Sequence, residues 1–174
     1  CGSGSCIDQN QINQLKNLVI LDCSFNKTIN DVNHFVNTLE ELYCTYDSGI
    51  DQNGISKLNK LKILDFTNNG KIDNVNHLKN TLENLYCGGY LSNINQEGIS
   101  ELSKLKILDC DSNPYICCLN RFSETLEELD CSCNYGHYSG VTNEGISNLK
   151  KIKKLNCGGN SKIMNVSHLA NTLE

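Results

Sequence analysis

The sequence predicts an α/β solenoid: a coil of short turns whose strands stack into one parallel sheet, with return segments on the opposite side. Three observations carry that expectation. A Leu-x-x-Leu anchor recurs at Leu18/Leu21, Leu39/Leu42, Leu61/Leu64, Leu82/Leu85, Leu105/Leu108, Leu126/Leu129 and Ile152/Leu155, and Leu173 begins an eighth. The first residues of these anchors lie 21, 22, 21, 23, 21, 26 and 21 positions apart. Two residues beyond each second leucine stands Cys23, Cys44, Phe66, Cys87, Cys110, Cys131 or Cys157. A unit this short buries nothing alone, and stacking its neighbours makes one continuous core.

Each unit opens on a strand. Side chains alternate across a strand, so the second Leu and the Cys face inward while the residue between them faces out. Three residues after the Cys come Asn26, Asp47, Asn69, Tyr90, Asn113, Asn134 and Asn160. The asparagines of that column, Asn26, Asn69, Asn113, Asn134 and Asn160, are expected to form a ladder, each amide turned inward onto backbone groups of a neighbouring turn that nothing else would satisfy. An isoleucine such as Ile29, Ile72 or Ile116 closes the bend. A second period of 43, 44 and 47 residues then separates two kinds of return segment. One carries the text INDVNHFVNTLEEL or IDNVNHLKNTLENL and is read as coil. The other carries IDQNGISKLNKL or INQEGISELSKL and is read as a short helix, with Ile55, Leu58 and Leu61 on one side. Asn, Gln or Glu near its start suits an N-cap region.

The unit LxxLxCxxNxxI resembles the leucine-rich repeat family, whose core unit is LxxLxLxxNxL, and the resemblance covers essentially the whole chain. It implies a curved right-handed coil with a parallel sheet on the concave face and alternating short helices and irregular coils on the convex face. The GIS text also resembles the repeats of F-box-type and GALA-type leucine-rich proteins. Cys1 to Leu18 aligns without gaps on Cys44 to Leu61. The chain is therefore read as a single domain over residues 1–174, about seven to eight repeats of 21–26 residues, truncated at both ends.

Composition narrows the function. Hydrophobic residues make up 39% and charged residues 20%, enough apolar content for a folded core. No apolar run approaches the roughly 18 residues of a membrane helix, and a net charge of −5 argues against a nucleic-acid partner. Most of the eleven cysteines fall in the inward column, where Phe66 substitutes for one of them, so they read as buried apolar thiols. Cys6, Cys117, Cys118 and Cys133 lie outside it, without the paired spacing of a zinc site. His34, His77 and His168 share one outer position with Arg121 and recur every second unit, about 10 Å apart, too far to share a metal. No Gly-rich phosphate loop and no nucleophile–base arrangement is present. The reading is a non-enzyme without catalytic residues, metal, cofactor, nucleic acid, membrane or small-molecule substrate, in a reducing, cytoplasmic setting. His137 sits in the one long insertion, residues 133–141, which is either a binding loop or length variation.

What remains is recognition on the concave face. Its central column is Asp22, Tyr43, Asp65, Tyr86, Asp109, Asp130 and Asn156, flanked by Ile20, Glu41, Ile63, Asn84, Ile107, Glu128 and Lys154. Carboxylates interleaved with exposed Tyr and Ile have the composition of a protein-binding patch. The expected partner-binding set is Asp22, Tyr43, Asp65, Tyr86, Ile107, Asp109, Asp111, Glu128 and Asp130. The aspartates could instead serve their own backbone. The expected function is a protein–protein interaction module for a protein partner bearing a basic patch. The family resemblances imply two alternatives, a substrate-recognition segment of a ubiquitin-ligase subunit and an internalin-like extracellular adhesion or receptor segment.

Overall fold

A computed structural model describes residues 7–133 and 136–174. Seven strands of three residues each, β1 (Ile20–Asp22), β2 (Glu41–Tyr43), β3 (Ile63–Asp65), β4 (Asn84–Tyr86), β5 (Ile107–Asp109), β6 (Glu128–Asp130) and β7 (Lys154–Asn156), form one sheet in sequence order. Every pair is parallel, and the second leucines stand in line from Leu21 to Leu155. This is the α/β solenoid that the repeat period predicts.

The return segments alternate as the two texts do. The GIS-type segments carry one helical turn each: α1 (Gln9–Ile12), α2 (Gln52–Ile55), a 3-10 turn at Glu97–Ile99, and α3 (Asn143–Ile146). The other segments, expected as coil, hold 3-10 turns at Asn33–Phe35, Asn76–Leu78, Asn120–Phe122 and Ser167–Leu169. The expected caps need correction. Asp8, Asp51 and Thr142 cap the three α-helical turns, each accepting a backbone N–H three residues on, while the Gln and Asn that follow them are inside the turn. A shorter side chain fits the N-cap role.

The core is a stack of similar layers. Leu42, Leu64, Leu85 and Leu108 have no exposed surface, and Cys44, Cys87, Cys110 and Phe66 lie beside them equally buried. Burial pushes the thiols of Cys44, Cys87 and Cys110 well above the ordinary range, that of Cys23 up to about 11 and that of Cys131 to about 12. They therefore stay protonated and pack as small apolar groups. All nine cysteines among the described residues are free thiols.

Two amide ladders join the turns. In the inner one, Asn69 Nδ2 donates to the carbonyls of Cys44 and Ile50 at 3.0 and 3.1 Å, and Asn160 Nδ2 donates to those of Cys131 and Val141 at 3.1 Å each. Asn113 reaches Cys87 and Ile94 in the same way, and Asn26 reaches Ile7. Asn134 lies outside the described residues. The ladder differs from the expectation in alternate units. Asp47 is outside, paired with Lys27 at 3.2 Å, and Tyr90 is 58% exposed. Ser48, Ser92 and Ser139 hold the buried positions instead, so asparagine and serine alternate.

The outer ladder was not anticipated, and it is built from glutamines as well as from the chain's many asparagines, 26 residues in all. Gln52 Oε1 accepts the N–H groups of Asp73 and Asn74, and its Nε2 donates to the Asn74 carbonyl. Gln9 and Gln96 reach forward in the same way, and Asn143 does so through Met164 and Asn165. From the other turn type, Asn76 donates to the Glu97 carbonyl and accepts from Glu101 N–H, with Asn33 and Asn120 repeating the pattern. Each amide thus satisfies backbone groups one turn ahead.

Asn69→Ala removes the inner rung at a site only 1% exposed. It leaves two buried carbonyls without their donor and should lower the unfolding free energy by about 1–3 kcal/mol. Asn80→Ala, on the exposed surface, should be near neutral when the two are compared in denaturant melts.

The open face of the sheet

The strand residues between the inward leucines and cysteines face away from the core in the expected columns. Cross-strand partners run Asp22–Tyr43, Tyr43–Asp65, Asp65–Tyr86, Tyr86–Asp109, Asp109–Asp130 and Asp130–Asn156. Exposure differs from the expectation in one respect. Tyr43, Tyr86, Ile63 and Ile107 are half-buried by their neighbours, and of the Tyr and Ile in these columns Ile20 alone, at 53%, is exposed.

The aspartates do serve their backbone. Oδ1 of Asp22, Asp65, Asp109 and Asp130 accepts the N–H two residues on, from Ser24, Thr67, Asp111 and Ser132, at 2.9, 3.0, 3.0 and 2.9 Å. This is the Asx turn that ends β1, β3, β5 and β6. Asn156 makes the same bond to Gly158 N–H at 3.1 Å without a charge. The turn therefore needs an oxygen and not a carboxylate.

Between β4 and β7 the face sinks into a hollow of about 300 Å³ lined by Tyr86, Ile107, Asp109, Glu128, Asp130, Lys154 and Asn156, with the leucines at its floor. Lys154 Nζ lies 2.7 Å from Glu128 Oε1, at the mouth. Asp130 is held on both oxygens, Oδ1 by the Ser132 hydroxyl at 2.6 Å as well as its N–H, and Oδ2 by Asn156 Nδ2 at 2.7 Å. Burial pushes the Asp109 carboxyl up to about 6; the Asp111 N–H works against this, and the charges of Asp130, Asp111 and Asp65 add to it. Burial also raises Asp65, and it raises Tyr86 together with the negative charges of Asp65 and Asp109.

Of the nine residues expected at the binding face, the structure gathers Tyr86, Ile107, Asp109, Glu128 and Asp130 around this hollow. Asp22, Tyr43 and Asp65 continue the column toward β1, where the Tyr43 hydroxyl donates to Glu41 at 3.0 Å. Asp111 instead turns to the rim: its Oδ1 occupies the space over Gly88, 2.1 Å from where a Cβ would stand.

The rim holds a feature that sequence reasoning missed. Phe25 and Tyr46 stack at 4.6 Å with both backbones in the left-handed region, φ 59° and 55°. Asn68, Gly89, Ser112 and Gly159 take that conformation in other turns. Bulky side chains rarely adopt it, yet Phe25 and Tyr46 are each 46% exposed. The signal was the recurrence of Asn and Gly at this position, which marks the two aromatics as exceptions.

Elsewhere the histidines act locally. His77 and His168 bond the carbonyls of Ile55 and Ile146 at 3.2 and 3.0 Å, and burial lowers the His77 pKa. His137 stacks on Tyr90 at 4.4 Å. Among the described residues no cluster of His, Cys, Asp or Glu is arranged to hold a metal ion, and no helix is long and apolar enough to cross a membrane.

Fold and face together define an α/β repeat solenoid with an open, parallel, mixed acidic and aromatic sheet surface. No family model and no curated protein matches the chain.

Proposed function

We propose that this chain is a non-enzymatic leucine-rich-repeat interaction module that binds a protein partner through the open face of its sheet, with a basic side chain of that partner seated in the hollow over β4–β7. The observation that carries the reading is the Asp109–Asp130 pair. Parallel neighbours stand about 4.8 Å apart, and like charges at that position weaken a sheet. Asn156 shows that the turn would form equally well with an amide. Two carboxylates kept side by side, next to the aromatic and aliphatic surfaces of Tyr86 and Ile107, fit an ammonium or guanidinium group with its alkyl stem along the apolar wall. Lys154 already occupies Glu128 at the edge, which leaves the aspartates as the charge available to a partner.

The test is the double change Asp109→Asn, Asp130→Asn. Amides retain the Asx turns, so the variant should melt no lower than the parent, and about 1 kcal/mol higher if the mutual repulsion is relieved. It should lose binding to a tetra-arginine peptide. A variant that is less stable and binds the peptide as the parent does would show that the aspartates serve only the backbone.

A further inference from the structure

The two carboxylates at the centre of the hollow are not equivalent. Asp130 has donors on both oxygens, from Ser132 and Asn156. Asp109 has one, the Asp111 N–H on Oδ1, and its second oxygen has no hydrogen bond among the described residues. Around Asp109 the charged and titratable groups are nearly all negative or neutral: Asp65 and Tyr86 on the preceding strands, Asp130 and Glu128 on the next, and Asp111 beyond its own strand end. The cation that lines the hollow, Lys154 on β7, is paired with Glu128. A proton on Asp109 relieves its repulsion with Asp130 while the hollow is empty, and a cation delivered by a partner does the same.

We propose that the hollow exchanges one for the other: a cationic partner binds the ionised Asp109–Asp130 pair, and proton uptake at Asp109 releases it. This rests on the open-face reading above. At and below about pH 6, where Asp109 carries its proton, one O–H bond is broken on binding, the proton leaving to solvent, and it is remade on release. Because burial pushes Asp109 up to about 6, the exchange falls in the mildly acidic range. The same group gives a readout without any ligand. A carboxyl raised in the folded state favours folding while protonated. Its contribution is full below the ordinary 3.8 and is lost as pH rises through about 6.

The experiment uses the full chain labelled at its aspartate side-chain carbons, titrated by NMR between pH 3 and 8 with and without a tetra-arginine peptide. Asp109 should titrate near 6 in the free chain, and lower with peptide in excess. Peptide binding should be about tenfold tighter at pH 7.5 than at pH 5, the change one proton released near pH 6 allows. Asp109→Asn should bind more weakly with no such slope, whereas Asp73→Asn, an equal loss of charge on the exposed outer surface, should keep it. Titration of Asp109 in the ordinary carboxylate range, or equal affinity at the two pH values with shifts around the hollow, overturns the proton exchange and leaves the open-face reading standing. Resonances of Tyr86, Ile107 and Glu128 that do not move with peptide at pH 7.5 overturn both.

Discussion

Leu85→Ala should lower the unfolding free energy by about 2–5 kcal/mol, the range for emptying a well-packed leucine site. Leu85 lies on β4 with three strands to either side and has no exposed surface. Leu64 and Leu108 flank it in register. Those neighbours cannot close over a cavity easily, because backbone hydrogen bonds such as Phe66 N–H to the Tyr86 carbonyl, 2.9 Å, fix the spacing of the layers. The cost should therefore fall in the upper part of the range. Ile20→Ala, on the same sheet but 53% exposed and facing out, should change stability by less than about 0.5 kcal/mol. Equal effects at the two sites in chemical denaturation would refute the inward and outward assignment of the columns.

Gly98→Ala should be nearly as damaging, for a different reason. The backbone there is ordinary, and what is missing is room. A Cβ on Gly98 would stand 2.1 Å from the Asp73 carbonyl oxygen and 2.9 Å from the Ile94 side chain. The same glycine accepts the Val75 N–H at 2.9 Å, so two turns meet backbone to backbone. Gly54 and Gly145 repeat the contact, at 2.1 and 2.0 Å from the carbonyls of Asn30 and Cys117. A methyl group must push the turns apart and break that bond, which should cost about 3 kcal/mol. Gly136→Ala is the useful contrast: φ is +79° with nothing within 4 Å of the added carbon. Its cost should be the backbone preference alone, about 1–2 kcal/mol. Thermal melts of both variants would separate crowding from conformation.

The strands, their order and their register were legible because one leucine period governs them all. Once Leu64 and Leu85 are aligned, Asp65 and Tyr86 must be neighbours, as they are. The Asp109–Asp130 adjacency followed from the same alignment. Other features depend on distances that letters do not carry. Ser48 is buried and Asp47 is not, a one-residue offset that column alignment on asparagine conceals. The reach of Gln52 to Asp73 and Asn74 depends on how far apart the return segments stack, so the outer ladder was invisible although its residues recur in plain sight. The recurrence of the glycine in the GIS text is explained only by the carbonyl of the preceding turn, a contact that the letters do not show. Nor could the hollow be foreseen, since it depends on how Tyr86 and Ile107 lean over the leucines behind them.

The outer ladder has a consequence for how such a chain can change length. Gln52 reaches from a helical turn to the 3-10 turn after it, Asn76 reaches from that turn to the next helical one, and the crowded glycine always belongs to the second of these meetings. The two turn types are lock and key to one another, not to themselves. Duplication or loss of a pair of turns preserves every partner, whereas excision of one sets like against like and strands an amide. The structural module is therefore the couplet, and an array lengthened by couplets gains two strands of open face at a time. In the couplets beginning at β1 and β3 the facing residues read Asp22 then Tyr43, and Asp65 then Tyr86. In the third, Asp109 is followed by Asp130 where the other two couplets carry a tyrosine, and that difference sets two carboxylates side by side.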